Sequence, residues 1–175
     1  SGGMVMLTIN EFYNFIQSES TRIKLSEIYG TDKVSLDYQV SRYTHLFDFF
    51  KSEYPKAREI KLFSTSGRTE IAGNHTDHQH GHVLCASVDM DIIAVVSPNN
   101  ENIIRLKSEG YENPDIINLD TLYPLDNEKF HSASLIRGIA AVFNERGYKT
   151  GGFDAYTTSR VPKGSGLSSS AAFEI

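Results

Sequence analysis

Cysteine occurs once in the 175 residues, at Cys85. That excludes an internal disulfide and any CxxC zinc module, and it points to a reducing compartment. No apolar run approaches the roughly 18–20 residues that a membrane span needs, and no basic segment leading into an apolar one suggests a signal peptide. The protein is therefore expected in the cytoplasm, without a membrane partner. Positive charge is also short: 17 Lys and Arg stand against 22 Asp and Glu, for a formal net charge of −5. Nucleic-acid backbones want clustered Lys and Arg, so nucleic acid is not an expected partner either. Internal repeats and low-complexity tracts are absent. What is present, 39% hydrophobic and 11% aromatic residues, suffices for a packed core. The length suits one domain, or one domain and a piece of another.

Periodicity then organises the chain. Thr8-Ile9-Asn10-Glu11 fits a capping box, and Ile9, Phe12, Phe15 and Ile16 follow at helical spacing. A second helix is predicted over Arg22–Tyr29, stopped by Gly30. A third follows from the stripe Val40, Tyr43, Leu46, Phe47 and Phe50, with Pro55 just past its end. Residues 1–58 are thus expected to be a helical region. Strands are predicted at Ile60–Thr65, Arg68–Gly73, Asp91–Ser97, Asn102–Lys107, Asp115–Leu119 and Phe153–Arg160. A helix is predicted over Ser132–Arg146, with Leu135, Ile139, Val142 and Phe143 as its apolar stripe and Gly147 at C′. Without βαβ alternation, an α+β fold with a mixed sheet is favoured over a Rossmann-type sheet. Leu167 onward reads as a new helix, and the sequence stops two turns into it, so the chain is expected to be a fragment.

Two constellations carry chemistry. In Val161-Pro162-Lys163-Gly164-Ser165-Gly166-Leu167-Ser168-Ser169-Ser170-Ala171-Ala172 a strand runs through a glycine-bearing turn into a hydroxyl-rich helix start. Free N–H groups of a first helical turn and the positive dipole end make an anion site. Gly164 and Gly166 let backbone approach a polyphosphate, and serine hydroxyls can ligate Mg²⁺. The Walker pattern GxxxxGK[ST] is absent, and a Gly/Ser linker with ordinary caps is the bland alternative. The second constellation is Asn74-His75-Thr76-Asp77-His78-Gln79-His80-Gly81-His82. Its histidines allow a zinc site, although Gly81 interrupts the run and no distant ligand pair completes a sphere. A solvated polar segment and a binding segment for a polyhydroxylated ligand are the other two readings.

Gly67-Arg68-Thr69-Glu70-Ile71-Ala72-Gly73-Asn74-His75-Thr76-Asp77-His78 resembles the galactokinase signature, usually written GRxNLIGEHTDY. Val161–Ala172 resembles the second motif of the GHMP kinases, their ATP phosphate loop. Leu135-Ile136-Arg137-Gly138, between them, is similar to the family's central helix. The resemblance runs from about residue 35 to the end, with the motifs in family order. It implies an ATP-dependent sugar kinase that phosphorylates the anomeric hydroxyl of galactose in a cleft between two α+β lobes. Residues 59–175 would be the GHMP-kinase-like N-terminal lobe, incomplete at the phosphate-loop helix, and the C-terminal lobe would be absent. By the same resemblance, Arg68 would be the catalytic cation beside the transferred phosphoryl group. Asn74, His75 and Asp77 would contact the sugar. Lys163, Gly164, Ser165, Gly166, Leu167, Ser168, Ser169 and Ser170 would hold the triphosphate, with Ser170 contacting Mg²⁺. Metal binding by the histidines then recedes.

The chain departs from the family at two telling positions: Asn74 replaces the Glu before His-Thr-Asp, and Glu70 replaces the Asn after the Arg. Asn is uncharged and both donates and accepts, which keeps open a kinase for galacturonate, N-acetylgalactosamine or arabinose. A non-catalytic galactose and ATP sensor is the remaining alternative. In the family the general base lies downstream of the serine loop, beyond Ile175, so the isolated 175 residues are expected to be inactive.

Overall fold

The computed structural model describes residues 6–73, 80–162 and 169–175, and two of its helices start at a capping side chain. The Thr8 amide and hydroxyl each donate to Glu11 Oε2 at 2.8 Å. This is half of a capping box, because the hydroxyl donates to the carboxylate instead of accepting from a helix amide. Helix α1 accordingly spans Phe12–Gln17 and leaves Ile9 outside. Helix α2, Glu19–Tyr29, starts at Glu19 and not Arg22, because the Ser18 hydroxyl accepts from the Thr21 amide. Gly30 ends it at φ +86°, where a side chain would be strained. Asp32 caps α3, Lys33–Glu53, by accepting from the Ser35 amide at 2.8 Å. The inward stripe of α3 (Leu36, Tyr43, Leu46, Phe47 and Phe50) is buried, and α3 packs on α1 and α2. Phe47 stacks on Phe12 with ring centroids 3.9 Å apart.

Strand β1, Leu7–Thr8, pairs antiparallel with β2, Glu59–Ala72, placing Leu7 opposite Ile60. The two strands expected at 60–65 and 68–73 are one. Ser66-Gly67 reads as a turn, but Gly67 is buried in extended backbone and takes no positive φ, so the strand runs through. Strand β3 spans Leu84–Pro98, β4 Ile103–Ser108, β5 Asp115–Asn118 and β6 Phe153–Ser159. Strand β4 pairs antiparallel with β5 and parallel with β6, and the strand order is β1-β2-β3-β6-β4-β5. The fold is therefore α+β with a mixed sheet.

Helix α4, Ser132–Glu145, has the expected extent but a different buried face. Ile136, Arg137 and Ala140 point inward, while Leu135, Val142 and Phe143 are 37%, 45% and 49% exposed. Arg137 fixes that rotation. Its Nε and Nη2 donate to Glu128 Oε2 and Oε1 at 2.7 and 2.6 Å, and Nη1 donates to the Thr121 carbonyl. A guanidinium so fully satisfied can be buried, and it turns the Leu135 side of the helix outward.

Two compact units result. One comprises Ser1–Phe63 with Ala94–Thr158; the other comprises Ser64–Ile93 with Ser159–Ile175. The first holds α1 to α4 and the buried side chains Phe12, Phe47, Phe50, Ile60, Ile104 and Ile117. The second holds both motif-bearing stretches.

Candidate functional site

In the second unit, β2 carries Arg68. From Ser64 onward its residues alternate: Ser64, Ser66 and Arg68 are exposed, while Thr65, Gly67 and Thr69 are more covered. The period of two thus sets Arg68 on the same face as Ser64. Strand β2 ends at Ala72, and Gly73 follows at φ +125°. A Cβ at Gly73 would lie 2.7 Å from the His82 carbonyl oxygen and from Val83 Cα, so only glycine fits where these two backbones pass. The expected sugar contacts Asn74, His75 and Asp77 lie outside the described residues. His80, at φ +63°, and His82 are exposed. Among the described residues no group of three or more His, Cys, Asp or Glu is placed to hold a metal ion.

The second motif is approached from β6. Beyond Ser159, the Arg160 amide donates to the Asp91 carbonyl at 2.9 Å, and Arg160 Nη1 reaches the Asp89 carbonyl at 3.4 Å. The Val161 amide donates to Ser159 Oγ at 3.1 Å, and Val161 is buried, so the chain turns here in a defined way. Lys163, Gly164, Ser165, Gly166, Leu167 and Ser168 lie outside the described residues. Helix α5, Ser169–Glu174, takes up the chain again, with Ser169 half-buried and Ser170 exposed at its start. The strand before the serine run and the helix after it are thus both in place.

Sequence reasoning passed over Asp91. It stands first in the run Asp-Ile-Ile-Ala-Val-Val, and it occupies the inward phase of β3 with Ile93, Val95 and Ser97. A carboxylate at the buried phase of a β-branched run was the available signal. Ser64 Oγ donates to Asp91 Oδ2 at 2.6 Å. Elsewhere, in the first unit, carboxylates are held below their ordinary range by local donors. The Thr158 hydroxyl, and then His45, lower Glu109, and Arg137 lowers Glu128. A cavity of about 860 Å³ lies between α4 and residues 122–130, lined by Tyr123, Phe130 and Arg137 among others. Among the described residues, none of the expected site residues lines it.

Two family models match the chain in order. The galactokinase galactose-binding signature matches residues 48–98, which include Arg68 and the Asn74–Asp77 stretch. The GHMP kinases N terminal domain matches residues 134–175, which include the serine run. The chain belongs to the GHMP kinases. It is 34% identical over 134 residues to the galactokinase of Fusobacterium nucleatum, across 75% of this chain and 34% of that protein. It is 31% identical over 129 residues to the galactokinase of Bacillus subtilis, across 72% of this chain and 33% of that one. The chain thus spans about a third of the length of the curated relatives it matches. Among solved structures, Lactococcus lactis galactokinase complexed with galactose superposes with a TM-score of 0.69 at 26% identity, over 75% of this chain and 34% of that one. Methanococcus jannaschii mevalonate kinase shares the fold, with a TM-score of 0.53 at 17% identity over 65% of this chain and 36% of that one.

Proposed function

We propose that the chain is the N-terminal, sugar- and nucleotide-handling part of a cytoplasmic kinase that transfers the γ-phosphoryl group of ATP to the C1 hydroxyl of galactose. The observation that carries this reading is the co-occurrence, in family order, of a galactose-binding signature and a GHMP N-terminal domain in one chain. In the reaction the sugar C1 hydroxyl gives its proton to a base, its oxygen forms a bond to the γ-phosphorus, the bond from that phosphorus to its bridging oxygen breaks, and ADP leaves. Such transfers rest on positioning and charge stabilisation more than on covalent help from the protein. Arg68, exposed on β2, supplies a fixed cation for the charge on the transferring group. Asn74, His75 and Asp77 take the hydroxyls of the sugar, and residues 163–170 take the triphosphate. Ser170, exposed at the start of α5, offers the hard oxygen that Mg²⁺ prefers. Bound Mg²⁺ would neutralise phosphate charge. In domain terms, 1–58 is the helical region, whose described part also carries the short strand β1, and 59–175 is the N-terminal lobe.

A coupled assay on the full-length protein, with ATP and a panel of galactose, galacturonate, N-acetylgalactosamine and arabinose, tests this. Turnover of galactose above the other sugars is expected. Absence of turnover with every sugar would overturn the kinase reading in favour of a sensor. Asn74 favours a second reading, because the family's carboxylate at this position would repel a C6 carboxylate and an amide does not. Asn74→Glu is expected to lower activity on galacturonate relative to galactose, and an unchanged ratio would refute that reading.

A further inference from the structure

Resting on the kinase reading above, we infer that Asp91 is a positioning residue that holds the strand bearing Arg68 against the strand end leading into the serine run. Asp91 is 2% exposed, on the same inward phase of β3 as Ile93. An isoleucine or valine there would add apolar burial at no polar cost, whereas a buried carboxylate must be matched by donors. What the carboxylate gains is direction. It accepts from Ser64 Oγ at 2.6 Å, in the range of hydrogen bonds to a charged acceptor. Ser64 precedes Arg68 by two strand repeats on the same face of β2. The carbonyl of the same residue accepts from the Arg160 amide at 2.9 Å, and the Arg160 guanidinium reaches back to the Asp89 carbonyl. Arg160 is three residues ahead of Lys163, where the expected phosphate loop begins.

One residue of β3 therefore bonds through its side chain to the strand of the first motif and through its backbone to the approach of the second. Phosphoryl transfer depends on the cation and the triphosphate being placed together before reaction. A looser β2 would leave the sugar and ATP bound but misplace Arg68. The loss should then fall on kcat and not on KM. Asp91 acts on the reaction through the residues it bonds, Ser64 among them.

The test uses the full-length protein and four variants: Ser64→Ala, Asp91→Asn, Asp91→Ala, and the double variant Ser64→Ala with Asp91→Ala. Ser64→Ala and Asp91→Ala are each expected to lower kcat about tenfold, with KM for sugar and for ATP within about threefold of wild type. The double variant should be no slower than Asp91→Ala alone, since the two groups act as one unit. Asp91→Asn keeps an acceptor for Ser64 and should recover most of kcat. Thermal melting of each variant separates misfolding from misplacement, and Ser64→Ala with Asp91→Asn carry the test if Asp91→Ala does not fold. Wild-type kcat in Ser64→Ala, or single effects that multiply in the double variant, would overturn the inference while leaving the kinase reading intact. A wild-type protein without turnover would overturn both.

Discussion

Glu128→Ala gives the sharpest test of what fixes α4. In the native chain the Arg137 side chain is 5% exposed and that of Glu128 is 12% exposed. The two are joined by a pair of parallel bonds at 2.7 and 2.6 Å. Removing the carboxylate leaves the guanidinium buried with, among the described residues, only the Thr121 carbonyl as a hydrogen-bond partner. Breaking a buried ion pair from one side costs about 3–5 kcal/mol. Water reaches part of Glu128, so the lower end, about 3 kcal/mol, is the expected loss. In a chain of this size each kcal/mol moves Tm by about 2–4 °C, which sets the expected drop at about 6–12 °C by far-UV circular dichroism. Arg137→Met together with Glu128→Leu should fall far less, because neither charge is then left unpaired.

The same pair sets an acid limb. The Arg137 bonds hold the Glu128 carboxyl below its usual range, and an unfolded glutamate titrates near about 4.3. The folded value is the lower one, so this contribution is complete above the unfolded value and is lost as pH falls through the folded one. Glu128→Gln should therefore flatten the decline of Tm below about pH 5. A Glu128→Ala melting temperature within about 2 °C of wild type, or an unchanged acid limb in Glu128→Gln, would refute the assignment of α4's rotation to this pair.

Two further predictions concern packing. A Cβ at Gly152 would sit 1.9 Å from the Glu101 carbonyl oxygen and 2.7 Å from that of Ile103, so Gly152→Ala should cost about 3 kcal/mol, the upper end of overpacking, and lower the urea midpoint accordingly. Val142→Gln, on the exposed side of α4, should change stability by less than about 0.5 kcal/mol, whereas Ile136→Ala, at 8% exposure, should cost about 2–4 kcal/mol; equal effects would return Val142 to the core.

What the sequence disclosed depended on how local the controlling interaction was. Gly30 and Tyr29 end α2 where the pattern placed them, because a positive φ after a helix needs only its own residue. The starts of α2 and α3 are set by Ser18 and Asp32, each accepting from an amide three residues on, whereas apolar spacing alone put the start of α2 at Arg22, three residues late. The face of α4 was not legible, because it depends on Glu128 and Thr121, which lie well before the helix residue they hold. The continuity of β2 through Ser66-Gly67 was hidden for a similar reason. A glycine reads as a turn unless neighbouring backbone is known to keep it extended. Motif identity was legible throughout, since Arg68 and the serine run are recognised by type and spacing. The tie between them through Asp91 joins Ser64 and Arg160, residues far apart in sequence, and no periodicity records it.

The close pass of Gly73 against His82 and Val83 has a wider consequence. It brings the two ends of the eight-residue connection 74–81 to touching distance. Closing entropy grows only slowly with length, so the cost of bringing these ends together depends little on how many residues join them. What this neck does require is a glycine at position 73, because any Cβ there meets backbone on the far side.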